Sequence, residues 1–142
     1  MLKVLFLCTE NACRSQMAEG LVNHYLAGQV RACSAGVAPS RVNPRAVTVM
    51  AELGIDISSQ RAKSVDDLAG EEFNLVITVC DRANEQCPIF PGSVKKLHMG
   101  FADPGRATGS EAEILAAFRQ VRDEMREKLM PLLKQAAEGH KR

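Results

Sequence analysis

Short apolar runs along the chain alternate with segments of helical periodicity. Four runs have the length and composition of buried strands: Leu2 to Leu7, Val30 to Ser34, Leu75 to Val79 and, more weakly, Val94 to His98. Three amphipathic patterns follow or separate them, carried by Met17, Ala18, Leu21, Val22 and Tyr25, then by Val47, Met50 and Ala51, and finally by Ile114, Phe118, Val121, Met125 and Leu129. Strands and helices should therefore alternate along the chain.

Local signals mark several helix boundaries. Gly54 should close the second helix, and Ser64 can cap a short helix over Val65 to Ala69. Ser110 and Glu113 form a capping-box pattern at the start of the last helix. Pro131 is expected to shorten or kink that helix near its end.

This alternation predicts an α/β fold with right-handed βαβ units, a parallel sheet and helices on both faces. A length of 142 residues, 46% of them hydrophobic, suits a single domain that spans residues 1–142. Ligands of such sheets bind at the carboxyl ends of the strands. Cys8 and Cys80 each follow a predicted strand directly, so they could share one rim of the sheet.

Charge and cysteine usage exclude several classes of protein. A net charge of +1 leaves no broad surface for nucleic acid or an anionic membrane. The N-terminal apolar run is too short for the core of a signal peptide, and no run approaches a membrane span. Five cysteines in such a chain indicate reduced thiols in the cytoplasm. His98 could act as a catalytic base, but its place near the end of the fourth strand favours a structural role. No cysteine and histidine group has zinc-site spacing, so we expect no metal.

The loop after the first strand has the pattern C-x5-R, from Cys8 to Arg14. Its backbone N–H groups, next to a helix N-terminus, can form a nest for a tetrahedral oxyanion, with contributions from Thr9, Glu10, Asn11, Ala12, Cys13 and Arg14. The dipole of the following helix and the charge of Arg14 favour the thiolate form of Cys8. Ser15 can donate a hydrogen bond to this thiolate. Asn11 is the residue best able to adopt a left-handed conformation. The alternative is a buried cysteine beside an unrelated surface arginine.

Two further cysteines could supply redox chemistry. Cys87 lies seven residues after Cys80, across a polar segment, Asp81 to Gln86, that could form about two helical turns. An intact helix would hold the two thiols about 10 Å apart, so a disulfide would require the segment to unwind. The alternative is that Cys80 and Cys87 are small buried hydrophobic residues without a redox role. We assign Cys13 and Cys33 to such packing roles. Cys13 could also form a protective disulfide with Cys8.

The sequence resembles the low-molecular-weight tyrosine phosphatase family, including its arsenate reductase branch, over nearly the whole chain. The matching motifs are C-T-E-N-A-C-R-S-Q-M-A-E from Cys8, S-A-G from Ser34, V-N-P from Val42, V-I-T-V-C from Val76, C-P-I from Cys87 and H-M-G-F-A-D-P from His98. The resemblance implies a three-layer α/β/α fold with a four-stranded parallel sheet. It also implies that Cys8 is the nucleophile, Arg14 the anion clamp, Ser15 the thiolate stabiliser and Asp103 the general acid.

For the reductase branch the resemblance further implies a thiol relay. Cys8 attacks arsenate, Cys80 then attacks Cys8 and releases arsenite, and Cys87 resolves the resulting disulfide. The Cys80 to Cys87 disulfide would be reduced by thioredoxin, although glutaredoxin with glutathione or another thiol remains open. The predicted enzyme is a monomer without a bound cofactor, with phosphate and sulfate as competing anions.

Three functions are compatible with the loop: a reductase of arsenate, a phosphotyrosine phosphatase and a non-enzymatic oxyanion sensor. An aryl phosphate needs aromatic or apolar walls, whereas aromatic residues make up 4% of this chain and Tyr25 is its one tyrosine. Gly105 follows Asp103-Pro104, where the phosphatase branch usually has an aromatic residue. A small inorganic oxyanion therefore fits better, and residual hydrolysis of small esters is expected.

Two positions depart from the family pattern. Glu10 stands where glycine is frequent, and its side chain is expected to point outward. Some reductases of this branch bind potassium through Asn, Glu, Ser and Asp residues. Asn11, Glu19 and Ser34 match the first three, but Lys63 occupies the aspartate position. Its ammonium could take the place of the cation, so no potassium site is predicted.

Overall fold

A parallel sheet of four strands lies at the centre of the molecule, as the sequence predicts. The computed structural model describes residues 1–68, 70–80 and 94–140. The strands are β1 (Leu2–Cys8), β2 (Val30–Gly36), β3 (Leu75–Thr78) and β4 (Lys95–His98). Their spatial order is β2-β1-β3-β4, and all three pairings are parallel. The strands β1 and β3 are therefore the inner pair.

The helices follow the predicted amphipathic patterns. They are α1 (Arg14–Tyr25), α2 (Pro44–Ala51) and α3 (Glu111–His140), with short 3-10 helices at Val65–Leu68 and Pro104–Arg106. Among the described residues, these α-helices contact one another, and α1 and α3 also pack against β1. Side chains from the helices and the sheet form a fully buried core that includes Phe6, Met17, Leu21, Ile77, Phe118 and Leu129. Burial of these apolar side chains is the main stabilising contribution to the fold.

The predicted caps of two helices are present. The Ser110 Oγ accepts from the Glu113 N–H at 3.2 Å, and the Glu113 Oε1 accepts from the Ser110 N–H at 3.2 Å. This reciprocal pair satisfies N–H groups that have no partner within the helix. The Ser64 Oγ accepts from the Asp66 N–H at 3.2 Å at the start of the first 3-10 helix.

Tertiary packing overrides the predicted burial of Tyr25 and the predicted shortening of the last helix at Pro131. Tyr25 was predicted on the buried face of α1, but it is 40% exposed, because the helix ends there and Leu26 fills the core with 1% exposure. Pro131 does not end α3, which continues to His140. Leu129 and Leu133, on either side of the proline, are both fully buried and hold the two parts against the core. The predicted helical segment 81–86 and Cys87 lie outside the described residues.

The carboxyl ends of the inner strands form the edge at which the functional loops lie. Leu7 of β1 is paired with Thr78 of β3, and the Val79 N–H donates to the Leu7 carbonyl at 2.8 Å. Cys8 and Cys80 therefore emerge at the same edge of the sheet. Within the described segments, no helix combines the length and the hydropathy that a membrane span requires.

Candidate active site

The thiol of Cys8 lies in the loop that joins β1 to α1 and is 3% exposed. The Asn11 N–H donates to its Sγ at 3.1 Å, and the Ser15 Oγ lies 2.8 Å from the same sulfur. Hydrogen bonds from these groups stabilise a negative charge on the sulfur. Ser15 therefore stands where the sequence predicts it.

Asn11 braces this loop in a left-handed conformation, with a φ of 53°. Its Oδ1 accepts from the Lys63 N–H at 2.8 Å and from the Gln16 Nε2 at 2.9 Å, while its Nδ2 donates to the Ser15 Oγ at 2.7 Å. The Gln16 Nε2 also donates to the Arg61 carbonyl at 2.9 Å. Sequence reasoning missed Gln16; its polar side chain in the first turn of a buried helix is the only signal. Together these bonds fix the loop to the 61–63 segment.

Gly36, at the end of β2, packs directly against the same loop. A Cβ atom at this position would lie 2.7 Å from the Thr9 carbonyl oxygen and 2.9 Å from the Asn11 nitrogen. Both atoms belong to the backbone, so a side chain at position 36 would displace the loop itself. The glycine of the S-A-G motif therefore permits β2 to support the oxyanion loop, a role that sequence reasoning did not assign.

Arg14 and Asp103 face each other in the site. The Arg14 Nη1 donates to the Phe101 carbonyl at 3.0 Å, and its Nη2 lies 3.6 Å from the Asp103 Oδ2. The other carboxylate oxygen, Oδ1, accepts from the Gly105 N–H at 2.9 Å. This N–H contact caps the 3-10 helix Pro104–Arg106 and sets the orientation of the carboxyl group. Asp103 is 28% exposed, which leaves it accessible to a bound anion.

A cavity of about 700 Å³ brings the predicted residues together. Three segments and one cysteine line it: Cys8, Thr9, Glu10, Ala12, Cys13 and Arg14 from the loop, Ser40, Arg41, Asn43 and Pro44 after β2, Asp103, Gly105 and Arg106, and Cys80. None of these lining residues in the described part of the chain is aromatic. The described lining carries three arginines and two acidic residues, Glu10 and Asp103, and suits a small anion more than an aryl group.

Cys80 lies next to the oxyanion loop. Its Sγ is 3.1 Å from the Thr9 Oγ1, and the residue is 7% exposed. Cys13 also lines the cavity, but burial, with added repulsion from Asp103 and Cys8, raises its pKa to about 12. Cys33 is half-buried on β2 and is not among the cavity residues; burial raises its pKa as well. Cys33 therefore lies outside the site, whereas Cys13 lies within it as a protonated thiol.

Glu10 and Lys63, the two departures from the family pattern, occupy different surroundings. Glu10 is exposed at the mouth of the cavity. The Lys63 Nζ lies 3.9 Å from the Glu19 Oε1, which also accepts from the Ser34 Oγ at 2.8 Å. Burial raises the pKa of Glu19, and the Ser34 hydrogen bond and the Lys63 charge oppose this shift. The ammonium of Lys63 thus lies beside the carboxylate that the resemblance relates to potassium binding.

His98 is engaged away from the cavity lining. Its Nδ1 lies 2.8 Å from the Thr78 Oγ1, between the neighbouring strands β3 and β4. Within residues 1–68, 70–80 and 94–140, no group of three or more His, Cys, Asp or Glu side chains could hold a metal ion.

The fold and this site define the class of protein. A model of the low molecular weight phosphotyrosine protein phosphatase family matches residues 3–142, and the chain belongs to this family. Among its relatives, an arsenate reductase of Bacillus subtilis (strain 168) is 46% identical over 126 residues, which cover 89% of this chain and 91% of the relative.

Solved structures agree with this relationship. An arsenate reductase in the phosphate binding state has a TM-score of 0.77 and 32% identity, covering 95% of this chain and 98% of that one. A thioredoxin-dependent arsenate reductase from Corynebacterium glutamicum has a TM-score of 0.73 and 26% identity, covering 96% of this chain and 63% of that one.

Proposed function

We propose that this protein is an arsenate reductase that uses Cys8, Cys80 and Cys87 in succession. The observation that carries the proposal is the position of Cys80, which lines the same cavity as Cys8 and lies 3.1 Å from the hydroxyl of Thr9. Hydrolysis of a phosphate ester needs no second thiol, whereas reduction of arsenate needs two electrons. Formation of a disulfide between Cys8 and a second cysteine supplies them.

In the first step, the Cys8 thiolate attacks the arsenic atom of arsenate. The loop N–H groups and the planar fork of Arg14 bind the arsenate oxygens and stabilise the charge that develops on them. Asp103 donates a proton to the departing oxygen, which leaves as water. The product is a covalent Cys8-arsenic adduct in which arsenic is still in oxidation state +5.

In the second step, the Cys80 thiolate attacks the Cys8 sulfur. The sulfur-arsenic bond breaks, its electron pair stays on arsenic, and arsenite leaves as a disulfide forms. Strand register supports this reach, because Leu7 pairs with Thr78, which places Cys80 one residue beyond the position opposite Cys8. Ideal strand spacing then gives a Cα separation of about 6 Å, within the range that disulfides span.

In the third step, Cys87 attacks Cys80 and frees the Cys8 thiolate. Cys87 lies outside the described residues, so its role is supported by the family resemblance and by its distance of seven residues from Cys80. Thioredoxin is the proposed reductant of the Cys80 to Cys87 disulfide, since a structural relative is a thioredoxin-dependent enzyme. The proposed enzyme is a cytoplasmic, single-domain monomer without a bound cofactor, in which these thiols return to the reduced form after each turnover.

Phosphotyrosine hydrolysis is the second candidate, because the oxyanion loop and Asp103 would also serve a phosphoenzyme mechanism. The polar cavity walls argue against it, since a phenol ring would find no aromatic surface among the described lining residues. We expect the site to hydrolyse small artificial esters slowly and phosphotyrosine peptides poorly.

A coupled assay tests the function. The purified protein with thioredoxin, thioredoxin reductase and NADPH should oxidise NADPH only when arsenate is added, and arsenite should accumulate in equal amount. The fall in NADPH absorbance measures the oxidation, and arsenic speciation measures the arsenite formed. No turnover with arsenate, together with rapid hydrolysis of phosphotyrosine peptides, would establish the phosphatase function instead.

Thr9→Val should slow reduction by at least about tenfold in kcat, with little change in KM. Valine has a similar shape but removes the hydroxyl beside Cys80, and hydrogen bonds to charged groups contribute about 1.5–3 kcal/mol. Thr9→Ser, which keeps the hydroxyl, is the matched control and should retain most of the activity. Steady-state kinetics on all three proteins measure the effect; equal kcat values for Thr9→Val and wild type would show that this contact does not activate Cys80.

A further inference from the structure

Two arginines outside the C-x5-R loop, Arg41 and Arg106, line the cavity that contains Cys8. On the basis of the proposed function, we infer that Arg41 and Arg106 are specificity-determining residues that capture tetrahedral dianions at the cavity mouth. We call them the mouth arginines. Their guanidinium groups raise the local concentration of the dianion before Arg14 binds it.

Arg41 is held at the mouth by backbone contacts on both sides. The Ser40 N–H donates to the Glu10 carbonyl at 2.9 Å, and the Asn43 N–H donates to the Ala12 carbonyl at 3.0 Å. Both acceptors belong to the oxyanion loop itself. The segment that carries Arg41 is therefore fixed to the loop that binds the anion, while the Arg41 side chain is exposed.

Arg106 is supplied by a different segment, the 3-10 helix Pro104–Arg106. Its side chain is 90% exposed, and its Nε lies 3.8 Å from the Asp103 Oδ2. The same oxygen is 3.6 Å from the Nη2 of Arg14, whose side chain is 13% exposed. One carboxylate thus lies between an outer guanidinium close to solvent and an inner guanidinium in the buried part of the cavity.

The charges around the cavity favour a dianion over neutral ligands. Arg14, Arg41 and Arg106 line the cavity together with the two acidic residues Glu10 and Asp103. Asp103 is close to two of the arginines, whereas Arg41 takes part in none of the ion pairs among the described residues. The charge of Arg41 attracts a dianion twice as strongly as a monoanion. Because arginine stays protonated, this attraction persists across the working pH range.

The sharpest test compares Arg41→Ala with Arg31→Ala, which removes the same charge. Arg31 is exposed near the other end of β2, away from the cavity. At low ionic strength, Arg41→Ala should raise the KM for arsenate about threefold to tenfold with kcat unchanged, and should raise the Kd for inorganic phosphate by the same factor. Arg31→Ala should match wild type, and added salt should remove the difference because it screens the charge.

Further variants test whether the change in affinity follows the charge at the cavity mouth. Arg106→Ala should also raise KM and the phosphate Kd, and Arg41→Lys should retain most of the affinity because it keeps the charge. Glu10→Gln should act in the opposite direction and lower both constants, since it removes a negative charge from the mouth. Calorimetric titration with phosphate measures binding independently of any reduction.

Two results would overturn the inference. The first is that Arg41→Ala and Arg106→Ala have the same KM and the same phosphate Kd as Arg31→Ala. The other is a fall in kcat without a change in KM, which would place the arginines in the chemical steps. If wild type fails to reduce arsenate but its phosphate Kd responds to Arg41→Ala as expected, the proposed function fails while the role of the mouth arginines stands.

Discussion

Cys8→Ser is expected to abolish arsenate reduction and the hydrolysis of small phosphate esters, each by at least about a thousandfold. The hydroxyl of serine is not ionised at neutral pH in this loop, and the contacts from Asn11 and Ser15 are arranged around a sulfur atom. Both reactions begin with attack by this atom, so both should fail together. Coupled NADPH oxidation and hydrolysis of an artificial aryl phosphate measure the two losses on one preparation.

Thiol labelling provides the control for this substitution. Iodoacetamide at neutral pH should modify Cys8 in the wild-type loop peptide and leave Cys13 unmodified, because a pKa of about 12 keeps the Cys13 thiol protonated. In Cys8→Ser, the loop peptide should take up no label. Phosphate should protect Cys8 in the wild type. Preferential labelling of Cys13, detected by mass spectrometry, would contradict the assignment of Cys8 as the nucleophile.

Cys80→Ser is expected to stop reduction with thioredoxin while sparing ester hydrolysis. Without this thiol, the Cys8-arsenic adduct has no neighbouring sulfur to accept the bond, so arsenite should not be released by the relay. Ester hydrolysis uses Cys8, Arg14 and Asp103 and should stay within about twofold of wild type. The ratio of the two activities, which a folding defect would leave unchanged, is the informative measurement.

Cys33→Ser is the matched control for Cys80→Ser. Cys33 lies on β2, outside the cavity lining, and its burial-raised pKa keeps it protonated at neutral pH. This variant should retain both activities. If Cys80→Ser reduces arsenate at the wild-type rate with thioredoxin, the proposed relay is wrong, and another thiol must complete the reduction.

The strands and most helices could be predicted because their signals are local. A buried run such as Leu75 to Val79 and a capping box such as that of Ser110 and Glu113 depend on neighbouring residues. Tyr25 and Pro131 were misjudged for the opposite reason. Leu26 takes the core position next to Tyr25, and buried leucines hold α3 together across Pro131, so packing against the core decides both outcomes.

The same distinction applies to the site. The C-x5-R spacing is a local pattern, so Cys8, Arg14 and Ser15 could be proposed before their geometry was known. The contact between Thr9 and Cys80 joins residues 71 positions apart, and the Gly36 approach depends on strand pairing. Arg41 reaches the mouth only because Ser40 and Asn43 bond to the oxyanion loop. No sequence pattern specifies these three relationships.

The hydrogen bonds of Asn11 determine when the oxyanion loop loses its conformational freedom. Its side chain bonds to protein groups in α1 and in the 61–63 segment. The chain entropy of the loop is therefore given up as the protein folds rather than at each encounter with an anion. Binding then consists mainly of exchanging water for oxyanion on a rigid template, and little of the interaction energy is diverted to ordering the backbone.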